Sequence, residues 1–142
     1  MKKITKIFIS FVFLFSAGSS YQAQAETGPI YKCKGANRFT CVVDGDTIWL
    51  RQVKLRLKDF DTPEPQTNVC GGNFERKLAN KASKRLIELL NNNEWTVEKF
   101  GKGKYGRTLA TIRINGVDVG DILIRERLAR SWPDGDEWWC QN

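Results

Sequence analysis

Residues 39–58 read FTCVVDGDTIWLRQVKLRLK, and this stretch decides the fold. Phe39 to Val43 and Thr47 to Leu50 are strand-like runs flanking Asp44-Gly45-Asp46, a turn signal. Val53, Leu55 and Leu57 alternate with Lys54, Arg56 and Lys58, the period of a half-buried strand with one polar face. Only Arg51-Gln52 separates the last two runs, so they are expected to pair as a hairpin.

Downstream, Asn73 to Asn91 reads as a helix: Phe74, Leu78, Ala82, Leu86 and Leu90 recur every four residues and form one apolar stripe, and Asn91-Asn92-Asn93 ends it. Trp95 to Phe100 and Thr108 to Ile114 read as strands around the loop 101–106. Asn115-Gly116 reads as a turn, Val119 to Arg127 as a short second helix with Ile122, Leu123 and Leu128 inward, and Ser131 to Asn142 as an irregular tail. Five strands and two helices predict an α+β domain, best fitted by a partly open five-stranded β-barrel of the OB type with one long and one short helix packed against it.

Residues 1–25 read as a signal peptide. Lys2, Lys3 and Lys6 precede an apolar run from Ile7 to Phe15, and Ala23-Gln24-Ala25 offers a small-x-small cleavage site. The run is short for a bilayer span, which needs about 20 apolar residues, so an exported (periplasmic or secreted) domain over 26–142 is expected rather than a membrane-inserted one. Export suits Cys33, Cys41, Cys70 and Cys140, none of which has C-x-x-C spacing; they read as two disulfides rather than a zinc site. Of three pairings, Cys33–Cys41 with Cys70–Cys140 is preferred because the first two lie close in sequence. The net charge is +7, and without the three leader lysines 20 basic residues face 16 acidic ones. That balance is mildly favourable to a polyanion. Arg76, Lys77, Lys81, Lys84 and Arg85 read as the wet face of the long helix. A monomer is expected.

The chain contains no histidine, which excludes Ser-His and Cys-His mechanisms and His-ligated zinc. Its chemistry-bearing residues are Asp46, Arg56, Asp61, Glu64 and Arg107. Acids can hold a hard cation and take a proton from water; guanidinium forks can clamp a phosphate whose charge grows in the transition state. Each piece also has a structural reading: an Asp-capped turn, a strand leaving the sheet at Thr62-Pro63, a hairpin closed by Gly106-Arg107. Their conjunction is what carries weight.

That conjunction resembles the staphylococcal nuclease (thermonuclease) family, from about Val42 to Ala129. The matching residues are Val43-Asp44-Gly45-Asp46-Thr47, Arg56 five residues before Asp61, Asp61-Thr62-Pro63-Glu64, Lys104-Tyr105-Gly106-Arg107-x-Leu109-Ala110, and Gly116 with Leu128-Ala129. The resemblance implies an OB-type barrel and a Ca²⁺ ion held by the Asp46 and Asp61 carboxylates and the Thr62 carbonyl. It implies Glu64 as activator of the attacking water, Arg56 and Arg107 on the scissile phosphate, and Lys104 and Tyr105 on terminal phosphates of the substrate. The implied reaction is calcium-dependent hydrolysis of DNA and RNA to products with 3′-phosphate ends. A catalytically inactive nucleic-acid-binding module is the alternative. The chain departs from the family pattern in a shorter hairpin between Thr47 and Arg56, in Asp59-Phe60, and in the loop carrying Cys70. Trp132, Trp138 or Trp139 could supply base stacking, or pack in the core.

Overall fold

The computed structural model describes residues 25–26, 28–36, 38–66 and 70–141. The leader predicted over residues 1–25 lies outside them save for Ala25. Among the described residues no helix is long and apolar enough to cross a membrane.

The α+β class and both helices are as expected. The strands are β1 (Ala25–Glu26), β2 (Cys41–Val42), β3 (Thr47–Leu50), β4 (Val53–Leu57), β5 (Phe60–Asp61), β6 (Trp95–Lys102), β7 (Thr108–Ile114), β8 (Val117–Asp118) and β9 (Arg130–Ser131). The helices are α1 (Gly72–Asn92) and α2 (Val119–Arg125), and a 3₁₀ turn covers Trp138–Gln141. One seven-stranded sheet runs β1-β6-β7-β4-β3-β2, with β8 on β7; β5 and β9 form a separate pair. The five expected strands are therefore consecutive neighbours in this sheet, and no pairing closes it into a ring among the described residues. The additional strands are two residues each, too short to show a hydrophobic period.

Tight turns fix the register of residues 41–57. Arg51 and Gln52 both take positive φ (49° and 65°), the conformation that lets a two-residue loop join β3 to β4 without splaying them. The pairing that follows sets Thr47 against Arg56, Ile48 against Leu55 and Trp49 against Lys54. Alternation then sends Ile48, Leu50, Leu55 and Leu57 inward and Thr47, Trp49, Lys54 and Arg56 to the other face. The inward set joins Ala110, Ile112 and Ile114 of β7, Leu86 and Leu90 of α1, and Val119 and Leu123 of α2 in one core.

The α1 stripe is displaced from the predicted one at its start. Leu78, Ala82, Leu86 and Leu90 are buried, but Phe74 is exposed and meets Trp138 edge-on, while Glu75 is buried. At α2, Asp118 caps the helix by accepting from the Gly120 amide at 2.8 Å. A side chain at Gly120 would collide with the Phe60 ring, so this glycine lets β5 lie directly on the helix backbone.

Two disulfides are present, Cys33–Cys41 and Cys70–Cys140, the preferred pairing. The second joins the segment before α1 to the 3₁₀ turn. The tail is more ordered than its composition predicts: Ser131 and Arg130 pair with Phe60 and Asp61.

Candidate active site

Three segments meet at the polar face of β3 and β4. The turn 44–46 delivers Asp46, whose backbone carbonyl accepts from the Leu57 amide at 2.8 Å. Gly45 is required here, because a Cβ would sit 2.6 Å from Thr62 Cγ2 and 2.9 Å from Ala82 Cβ. The turn is thus pressed between the 61–64 segment and α1. Asp46 Oδ2 accepts from both the Thr62 amide and the Thr62 hydroxyl, each at 2.9 Å, and Oδ1 accepts from the Thr47 hydroxyl at 3.1 Å.

Arg56 lies between the two aspartates. Its Nη2 donates to Asp61 Oδ1 at 2.8 Å and to the Phe60 carbonyl at 3.3 Å, and its Nη1 pairs with Asp46 Oδ1. Burial pulls the Arg56 pKa down; Asp61 opposes this and the like charge of Arg107 adds to it. Arg107 is therefore an electrostatic neighbour of Arg56.

These residues line a cleft of about 730 Å³ together with Glu64, Lys104 and Tyr105. Every residue predicted for the site except Thr62 lines it; Thr62 is buried beneath, bonded to Asp46. Tyr105 is exposed, with Lys104 and Arg107 stacked over its ring at 5.6 and 5.8 Å. The Glu64 carboxyl is held above the ordinary glutamate range, first by burial, then by the charges of Asp44 and Asp61, with Arg56 opposing. Asp44 is also raised by burial, and its Oδ1 accepts from the Asp46 amide at 3.2 Å.

Two supporting residues escape sequence reasoning. Glu75 is 1% exposed and accepts from the Glu64 amide at 3.0 Å and the Gly71 amide at 2.8 Å. It caps the otherwise uncapped start of α1 and ties the 64–71 loop to it. Arg130 grips the outer oxygen of Asp61 through Nε and Nη2, both at 3.1 Å, and also bonds Glu137 and the Gly135 carbonyl. The one signal for Glu75 was an acid in the first turn of the helix; Asn73, where the sequence starts that helix, lies inside α1, and Gly71 takes the capping position. No local signal exists for Arg130.

Asp59 is exposed, ion-paired with Lys58, and at the cleft edge rather than in the core. Of the three tail tryptophans, Trp139 is core and Trp138 packs on Phe74 and Trp139. Trp132 is 54% exposed, lines the cleft, and carries Arg130 over its ring at 5.0 Å.

The donor set is oxygen only, which suits a hard cation such as Ca²⁺ and not zinc. The bridging position between Asp46 and Asp61 already attracts a cation, the Arg56 guanidinium. Asp61 has further lone pairs to offer, since an ionised carboxylate has about four acceptor sites. The residues fit the ion, provided that Arg56 yields one carboxylate to it.

The staphylococcal nuclease homologue family matches residues 54–136. The chain is 37% identical over 97 residues to the endonuclease YncB of Bacillus subtilis, and 38% identical over 97 residues to the prophage-derived endonuclease YokF of that organism. Both alignments take in 62% of this chain but only 44% and 31% of those proteins, so the chain spans less than half of either. It is also 35% identical to a thermonuclease of Staphylococcus hyicus, over 92% of this chain and 82% of that one. On the family match and this last alignment, the protein belongs to the staphylococcal nuclease homologue family.

Proposed function

We propose that this protein is an exported, calcium-dependent nuclease that hydrolyses phosphodiester bonds of DNA and RNA and leaves 3′-phosphate ends. The observation that carries the reading is the convergence of Asp46, Arg56, Asp61, Glu64 and Arg107, from three separate stretches, on one cleft. The fold reading is an OB-type barrel, supported by the consecutive order of the five main strands. Processing after Ala25, with domain 26–142 acting as a monomer, completes it; the two disulfides support export.

Asp46, Asp61 and the Thr62 carbonyl would hold the calcium ion. When bound, the ion supplies positive charge that polarises a phosphate oxygen and orients water. Glu64 takes a proton from the attacking water as the water oxygen bonds to phosphorus; the bond from phosphorus to the 5′-oxygen breaks, and that oxygen takes a proton from solvent to leave as the 5′-hydroxyl. Arg56 and Arg107 neutralise the equatorial oxygens; Arg56, partly relieved of its aspartates, swaps carboxylate for phosphate as partner. Lys104 and Tyr105 hold an adjoining phosphate and align the chain. Plasmid DNA and RNA incubated with Ca²⁺ or with excess chelator test this. Cleavage with Ca²⁺ alone and 3′-phosphate ends are expected. Persistent cleavage in chelator refutes the metal role. Binding without cleavage favours the inactive binding module.

A further inference from the structure

The polar face that carries Arg56 does not stop at the cleft. On β4 it continues to Lys54, and on β3 to Trp49, which is the direct cross-strand partner of Lys54. Two residues along a strand advance about 7 Å, so this pair lies one step from Arg56 toward the 51–52 hairpin tip. There it borders a second hollow of about 670 Å³, lined also by Gln52, Lys102, Tyr105 and Arg107. Lys54, Tyr105 and Arg107 line both hollows, so the two are continuous. Their electrostatics differ sharply. The first holds five acids; the second holds Lys54, Lys102 and Arg107 and no acid. Lys102 donates to the Thr108 hydroxyl at 3.0 Å, and an ammonium has two further donors. Trp49 is half-buried: its indole N–H is turned away from solvent, with no hydrogen-bond partner among the described residues, and its contribution to the hollow is ring surface.

We infer that this hollow is a second nucleic-acid subsite that takes the single-stranded chain running on from the scissile phosphate. Lys54 and Lys102 bind its backbone, and Trp49 and Tyr105 offer faces for bases. Cations beside aromatic rings, without competing acids, are the combination that holds single strands regardless of sequence. The inference rests on the nuclease reading for its orientation and adds contacts at Trp49, Lys54 and Lys102 that a dinucleotide held at the cleft does not reach.

The test measures binding of a fluorescent single-stranded DNA dodecamer and of a phosphorylated dinucleotide, in chelator so that nothing is cut. The probe variant is Lys102→Glu, an exposed position whose charge reversal leaves the core intact. It should weaken dodecamer binding about tenfold and lower its salt slope by about 0.7, with dinucleotide binding unchanged. Trp49→Leu should weaken the dodecamer selectively as well, with thermal unfolding followed alongside. Equal binding of the dodecamer by Lys102→Glu and unaltered protein would overturn the subsite, as would dodecamer binding no tighter than dinucleotide binding. Lys102-dependent dodecamer binding by a protein that cuts nothing in Ca²⁺ would uphold the subsite and reject the nuclease reading.

Discussion

Arg130 and Asp61, 69 residues apart in sequence, face each other across the β5–β9 pair and are joined by two contacts of 3.1 Å to Asp61 Oδ2. Arg56 holds the opposite oxygen of the same carboxylate. Asp61 is thus fixed between two guanidinium groups, one from the sheet and one from the tail. The tail is itself anchored through Glu137, and through Cys140 to Cys70.

Removing Arg130 should loosen a proposed calcium ligand without touching the substrate. Partners that orient metal ligands typically matter about 10–100-fold in affinity or activity. Arg130→Ala should therefore raise the calcium concentration for half-maximal cleavage by about tenfold or more, and Arg130→Lys should recover part of it. Calcium titrations of initial rate decide the matter. An unaltered calcium midpoint in Arg130→Ala would mean that Arg130 serves only to pin the tail.

Glu75 invites a separate measurement. Its carboxylate satisfies the Glu64 and Gly71 amides inside the protein, and leaving buried donors unsatisfied costs about 1–3 kcal/mol. Glu75→Ala should destabilise the fold by at least that amount and lower turnover, because Glu64 loses its backbone anchor. Glu75→Gln, which retains an acceptor oxygen, should lie between. Denaturant unfolding beside kcat tests the pair; full stability in Glu75→Ala would show that water replaces the carboxylate.

The difference between these two residues and the five read directly from the sequence is physical. Arg56 was legible because alternation through Val53, Leu55 and Leu57 leaves it no other face. The long helix was legible from Leu78, Ala82, Leu86 and Leu90. Phe74 fitted the same spacing yet is exposed, because the first turn of α1 turns Glu75 inward to cap itself. Arg130 had no signal, since its partner lies 69 residues away and its strand is two residues long. Trp132 and Trp139 were indistinguishable in sequence; only tertiary packing buries one and leaves the other at the cleft.

A pH effect on stability is expected where the helices meet. Arg85 Nε and Nη2 each donate to Glu126 at 2.8 Å, linking α1 to the end of α2. These bonds from Arg85 hold the Glu126 carboxyl below its ordinary range. A carboxyl depressed on folding adds stability above its unfolded pKa, and that stability is lost as pH falls through its folded pKa. Both groups are about a third exposed, so screening limits the pair to at most about 1 kcal/mol. Glu126→Gln should lower the midpoint of thermal unfolding slightly at pH 7 and not at pH 3. An equal effect at both would assign the loss to packing instead of charge.

Arg107 offers the sharpest test of the proposed chemistry. Asp46 and Asp61 engage Arg56, whereas Arg107 lies over the Tyr105 ring and is an electrostatic neighbour of Arg56. Its role, if it neutralises the equatorial oxygens, grows as charge builds in the transition state. Loss of such a donor typically costs about 10²–10³ in rate. Lysine keeps the charge but not the planar fork, so Arg107→Lys should depress kcat by about that factor with little change in nucleotide binding. Lys104→Arg should matter little, because a point charge on a non-reacting phosphate tolerates the exchange. Steady-state rates with parallel binding measurements in chelator separate the two effects. Near-normal turnover in Arg107→Lys would make Arg107 a residue of the β6–β7 loop and nothing more, and would shift the balance toward a binding module.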